Sequence, residues 1–147
     1  MLQVKDIMTR KVFVLEENQS LAIVRSLMKI KHIRHVPIVD EHNQFIGLLT
    51  HRDLLAYTIS LLADADQSEQ DAIDHHILIK DVMKTDVMTI SPDETVYSVI
   101  NILLKNKYGC VPVLENGELV GIVTEADFLK LTISLLNKIE SLSSTLS

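Results

Sequence analysis

The chain has 147 residues, of which 47% are hydrophobic and 23% charged, with a formal net charge of −6. This length buries roughly two-thirds of the unfolded surface as one domain or two small repeats, so no disulfide or metal staple is required. The acidic balance and the absence of Trp argue against sequence-independent nucleic-acid binding, which needs clustered Lys and Arg and aromatic platforms. No apolar run approaches the roughly 20 residues of a membrane helix. Cys110 is the single cysteine, so no intramolecular disulfide can form. With a polar start lacking a signal-peptide pattern, a reducing cytoplasm is the expected setting.

In chain order, Val12-Phe13-Val14 predicts a short strand. Leu21, Val24, Leu27 and Met28 then fall on one stripe of a helix, with Ser20 as N-cap. Val36-Pro37-Ile38-Val39 reads as a strand that Pro37 confines to an edge or a strand start. A polar turn over Asp40 to Gln44 joins it to Phe45 to Leu49 as a hairpin. A closing helix after Thr50 carries Leu55, Ile59 and Leu62 on one side.

The same series then returns. Val4-Lys5-Asp6-Ile7-Met8 matches Ile79-Lys80-Asp81-Val82-Met83, an offset of 75 that also aligns Val12 with Val87 and Val36-Pro37 with Val111-Pro112. After one deletion in the turn, Thr58-Ile59-Ser60-Leu61-Leu62 recurs letter for letter as Thr132-Ile133-Ser134-Leu135-Leu136. The second turn contains Asn116-Gly117, a strong hairpin signal. The chain is thus a duplication, the kind of feature that decides a fold. Each unit is β-α-β-β-α, in an α/β (α+β) fold whose repeats a pseudo-two-fold axis relates. The expected boundaries are 1–63 for the first repeat, 64–76 for an acidic connector, 77–140 for the second repeat and 141–147 for a tail.

The connector is either a helical extension or a loop. His75-His76 beside its carboxylates matches no structural zinc spacing, so no metal site is expected. The apolar positions 129, 133, 136 and 139 form a stripe longer than one unit needs, whose outer end fits a second chain.

One motif carries chemistry. Ile46-Gly47-Leu48-Leu49-Thr50-His51-Arg52-Asp53 returns as Val120-Gly121-Ile122-Val123-Thr124-Glu125-Ala126-Asp127. Each copy reads as a buried strand ending at a Thr where a helix begins. Alone, Thr-x-x-Asp is a capping box. Doubled, it sets a hydroxyl and a carboxylate beside helix-start amides, where anions are favoured.

Two copies of Asp-h-Met (h meaning apolar), h-Pro-h-h, a hairpin and Gly-h-h-Thr-x-x-Asp resemble a tandem pair of CBS domains, a Bateman module, over about residues 1 to 140. Members of that family are regulatory modules that bind adenine nucleotides between their repeats, and they commonly form dimeric discs. The resemblance implies that Asp53 and Asp127 accept hydrogen bonds from ribose hydroxyls, as a two-oxygen acceptor can. It implies ribose or phosphate contacts for Thr50 and Thr124. It places Arg34 and His35, and Gly109 and Cys110, on the walls. Base contacts would come from the opposite repeat: Val87, Met88, Tyr108 and Gly109 around the first motif, and Val12, Phe13 and Ile33 around the second.

Arg34, His35, His51 and Arg52 flank the first motif, whereas the second has Gly109, Cys110, Glu125 and Ala126. Arg suits bidentate phosphate contacts and Glu repels them, so the first pocket is expected to be the main nucleotide site. Cys110 lacks a paired base and reads as a small buried hydrophobe. The expectation is a non-catalytic, stand-alone regulatory module. It would bind an AMP- or ATP-like ligand, need no obligatory cofactor, form a homodimer and act on a protein partner. A dimerisation scaffold with vestigial pockets is the alternative. No Gly-rich phosphate loop, nucleophile elbow or carboxylate pair supports an enzyme.

Overall fold

A computed structural model of the protein describes residues 1–62, 66–107 and 109–146. The described elements are α1 (Val4–Ile7), β1 (Leu15–Glu16), α2 (Leu21–Lys31), β2 (His35–Val39), β3 (Phe45–Thr50), α3 (His51–Leu62), α4 (Gln67–His76), a 3₁₀ turn (Ile79–Asp81), α5 (Val96–Lys105), β4 (Cys110–Glu115), β5 (Glu118–Thr124) and α6 (Glu125–Leu146). The mixed α/β architecture and its two repeats follow the sequence pattern.

The stripe on α2 buries Leu21, Val24 and Met28. The helix ends at His32, which adopts the left-handed conformation (φ 54°), a terminating geometry that satisfies helix-end carbonyls. In the second repeat Thr95 caps α5 by accepting the Ser98 amide at 3.2 Å. β2 and β3 pair antiparallel, and β1 joins β2 in parallel through Leu15 and Ile38. The second repeat repeats this geometry with β4 and β5, where Ile90 makes the corresponding parallel bridge to Val113.

Pro37 and Pro112 sit inside strands, and the ladder explains how. Pro37 faces Leu48, but the Leu48 amide and carbonyl bond to Lys84 on the other side, at 2.8 and 2.9 Å. Pro112 faces Ile122, which bonds in the same way to Thr9, at 2.9 and 2.8 Å. A residue without N–H therefore costs no ladder bond at either position.

Those bonds expose an exchange between the repeats. Val4 and Met8 belong to the core that holds Ile90, Val99, Val111, Val113 and Val123. Ile79 completes the core of Leu21, Val24, Val36, Ile38, Leu49 and Leu54. The opening segment of each sequence repeat thus packs into the other repeat. The glycines of the doubled motif permit this. A Cβ on Gly47 would lie 2.7 Å from Met83 Sδ, and one on Gly121 would lie 2.7 Å from Met8 Sδ. A third cluster, of Leu48, Cys110 and Ile122 with Val12, Phe45 and Val87, seals the seam between repeats.

One expectation needs correction, and one left open is decided. The strand expected over Val12-Phe13-Val14 lies instead at Leu15–Glu16, because Val12 is drawn into the inter-repeat cluster rather than into a sheet. The connector is helical from Gln67 to His76, and Asp66 caps it by accepting the Glu69 amide at 2.8 Å. That helix is docked on α2 by an ion pair between Arg25 Nε and Asp74 Oδ2 at 2.6 Å, with Asp74 almost fully buried.

Candidate functional site

The two Thr-x-x-Asp motifs stand at the starts of α3 and α6, and each closes on itself. The Thr50 hydroxyl donates to Asp53 Oδ2 at 2.8 Å and the Thr50 amide does so at 3.2 Å. The Thr124 amide donates to Asp127 Oδ2 at 2.8 Å. Each motif therefore caps its helix.

The second oxygen of each carboxylate distinguishes the copies. Lys84 Nζ lies 3.3 Å from Asp53 Oδ1, while the Thr9 hydroxyl donates to Asp127 Oδ1 at 2.8 Å. Thr9 and Lys84 occupy equivalent positions of the duplication. The first carboxylate is thus faced by a cation. The second, which is buried, is held by a neutral hydroxyl that a competing donor can displace without separating charges.

Between the repeats lies a cavity of about 960 Å³. Of the residues singled out in the sequence, Thr50, Thr124, Arg34, His35, Arg52, Gly109, Val12, Phe13 and Ile33 line it. Asp53, Asp127, Cys110, Val87 and Met88 do not, although Asp127 sits directly behind the lining residues Thr9 and Thr124. Tyr108 lies outside the described residues.

The division into a cationic first pocket and an acidic second one does not match this geometry. Arg34, His35, His51 and Arg52 line the same cavity as Thr124, Glu125 and Ala126. The pseudo-symmetry turns the two helix starts toward each other, so charges adjacent in sequence to one motif reach a space that both motifs border. Gly109 marks the meeting point: in its left-handed conformation (φ 71°), an added Cβ would lie 3.4 Å from His35 Nε2 and 3.7 Å from Glu125 Oε1.

Sequence reasoning missed three cations, Lys11, Lys107 and Lys130, which line the cavity as well. Lys130 was legible one helical turn beyond Ala126. Lys11 and Lys107 lie on irregular segments whose direction no periodicity reveals. With Arg34 and Arg52 they make five of the chain's 14 Lys and Arg residues, and among the described residues Glu125 is the one carboxylate that lines the cavity against them. In a chain of net charge −6, this concentration makes the cavity an attractive site for anions. Val12, Phe13, Ile33 and Ile122 supply an apolar wall, and Lys31 Nζ stands 5.4 Å from the centre of the Phe13 ring.

Cys110 is fully buried in the seam, in keeping with its reading as a small hydrophobe, and does not stand on the cavity wall that the family resemblance implied. Burial pushes its thiol up to about 12, so it stays protonated and contributes packing rather than chemistry. Among the described residues, no group of His, Cys, Asp and Glu is arranged to hold a metal ion, and no helix is long and apolar enough to cross a membrane.

Comparison with known proteins agrees with this architecture. The uncharacterized protein MJ1225 of Methanocaldococcus jannaschii is 32% identical over 128 residues, covering 87% of this chain but 42% of that protein. The chain thus spans less than half of that relative. A candidate acetoin utilization protein (AcuB) of Vibrio cholerae shares the fold with a TM-score of 0.78 and 34% identity, covering 96% of this chain and 97% of that one. The CBS domain pair of protein MJ0100, solved with 5'-methylthioadenosine and S-adenosyl-L-methionine, is 27% identical with a TM-score of 0.73, covering 91% and 98%. CBSX2 from Arabidopsis thaliana, solved with AMP, is 20% identical with a TM-score of 0.77 over 92% and 98%, a likeness of fold. The CBS domain family model matches twice, over residues 4–60 and 79–134, and the chain belongs to that family as a tandem pair of CBS domains.

Proposed function

We propose that the protein is a non-catalytic regulatory module that binds an adenosine-containing nucleotide in the cavity between its repeats. The observation that carries this reading is one cavity joining an apolar wall to five Lys and Arg side chains and two helix-start threonines. Val12, Phe13 and Ile33 suit a base; Arg34 and Arg52 suit phosphate oxygens. Thr50 and Thr124 supply hydroxyls to ribose or phosphate. Asp127 Oδ1, to which the Thr9 hydroxyl donates at 2.8 Å, would accept a ribose hydroxyl in exchange for Thr9. The adenosine ligands of MJ0100 and CBSX2 support the choice of nucleoside. AMP, ADP and ATP should each be tested by thermal shift. A ligand at about 100 times its Kd stabilises the fold by about 2.7 kcal/mol, a shift of several degrees. No shift with any of the three, in folded protein, removes the proposal.

We further propose that the protein is a homodimer. Leu129, Ile133, Leu136, Ile139 and Leu142 of α6, with Leu55 and Ile59 of α3, are large apolar side chains left exposed. Contiguous apolar surface of this kind marks an interface. Sedimentation should give twice the chain mass, and Ile133→Glu should shift it toward the monomer. A monomeric wild type would contradict this. The same stripe, with Lys84 on Asp53, favours a scaffold as the second reading. Dimers that form normally while binding no nucleotide would support it.

A further inference from the structure

The nucleotide cavity does not end at its own wall. A second pocket of about 480 Å³ adjoins it and shares His32, Ile33, Arg34 and His51 with it. Beyond those shared residues it adds Arg25 and Lys29 from α2, and no carboxylate among the described residues lines it. The left-handed residue His32 closes α2 between the two spaces, so the helix end forms their common rim. Cations on both sides of a rim that itself carries Arg34 fit an extended anion better than a compact one.

Arg25 is also the residue that docks the connector helix. Its Nε faces Asp74 Oδ2 at 2.6 Å, and its Nη2 donates to the Thr58 hydroxyl at 2.5 Å. The pairing with Asp74 is imperfect. Asp74 Oδ1 is buried and Arg25 Nε is not aligned for a hydrogen bond, so neither atom has a hydrogen-bond partner among the described residues. A buried carboxylate with an unsatisfied oxygen is poorly compensated for lost hydration. Nearby, Asp74 helps push the Tyr57 hydroxyl upward, behind the larger effect of burial. A phosphate can present two oxygens to the planar guanidinium, a two-point contact that Asp74 does not make here.

We propose that the second pocket is a subsite for the terminal phosphates of a nucleoside polyphosphate. The nucleoside and first phosphate occupy the main cavity, and the outer phosphates pass His32 and Arg34 to reach Lys29 and Arg25. There they compete with Asp74 for Arg25 and loosen α4 from α2. This rests on the nucleotide reading of the main cavity and adds the ligand's phosphate number and a mechanical output.

Calorimetric titration of AMP and ATP into wild type, Lys29→Ala and Asp74→Asn tests it. ATP should bind wild type about tenfold more tightly than AMP, the equivalent of one added charge-assisted contact. Lys29, exposed on α2, can be truncated without loss of folding. Its Ala variant should weaken ATP about tenfold and leave AMP unchanged. Asp74→Asn should tighten ATP and not AMP. Amide exchange over Gln67–His76 should accelerate with ATP but not with AMP. The subsite is overturned if ATP binds no more tightly than AMP, or if either variant shifts both ligands alike or neither. In those cases AMP binding preserves the main-cavity reading. Binding of neither nucleotide to folded wild type would remove both.

Discussion

Ile79→Ala will destabilise the protein by about 2–5 kcal/mol, the range for truncating a buried Ile, although Ile79 precedes every strand of the second sequence repeat. The side chain is fully buried among Leu21, Val24, Val36, Ile38, Leu49 and Leu54, all from the first repeat. Its backbone is tied there as well: the Ile79 amide donates to Gln19 O at 2.9 Å and the Lys80 amide to Glu17 O at 3.0 Å. Truncation therefore opens a cavity within the first core. Against a typical stability of about 5–15 kcal/mol, this is a large share. Ile30→Ala, on the exposed side of α2 at 69% exposure, should change stability by no more than about 0.5 kcal/mol. Urea unfolding of the two variants checks the pair, and a loss below about 1 kcal/mol for Ile79→Ala would show that the exchanged segment does not complete the first core.

Arg34→Ala combined with Arg52→Ala will weaken nucleotide binding about 100-fold while leaving stability near wild type. Both side chains are exposed and both line the cavity, so neither contributes to a core. A hydrogen bond to a charged group is worth about 1.5–3 kcal/mol, and exposure lowers that figure at each site. Two such losses together approach about 2.7 kcal/mol, which corresponds to about two decades in Kd. Lys11, Lys107 and Lys130 remain in the double variant, so binding should fall without vanishing.

Much of this was legible in the sequence. The periods of Leu21, Val24 and Met28 placed a helix correctly, and the doubled Gly-h-h-Thr-x-x-Asp located both strand-to-helix turns. The Asn116-Gly117 turn adopts the left-handed backbone its residues favour, with φ of 54° and 81°. What escaped depends on long-range pairing. Val12 has the composition of a strand residue, and only the inter-repeat cluster draws it out of the sheet. The partition of charge between two pockets failed for the same reason: sequence adjacency to a motif does not say which side of a symmetric seam a long Arg side chain will reach. Lys84 on Asp53 could not be foreseen either, because the lysine belongs to the other repeat's opening segment.

The most direct measurement is the stoichiometry of AMP binding by calorimetry, in wild type and in Arg34→Ala/Arg52→Ala. A single cavity bordered by both motifs predicts one AMP per chain, with affinity falling about 100-fold in the double variant. Two equivalent AMP molecules per chain, or an affinity that the double variant leaves unchanged, would contradict it.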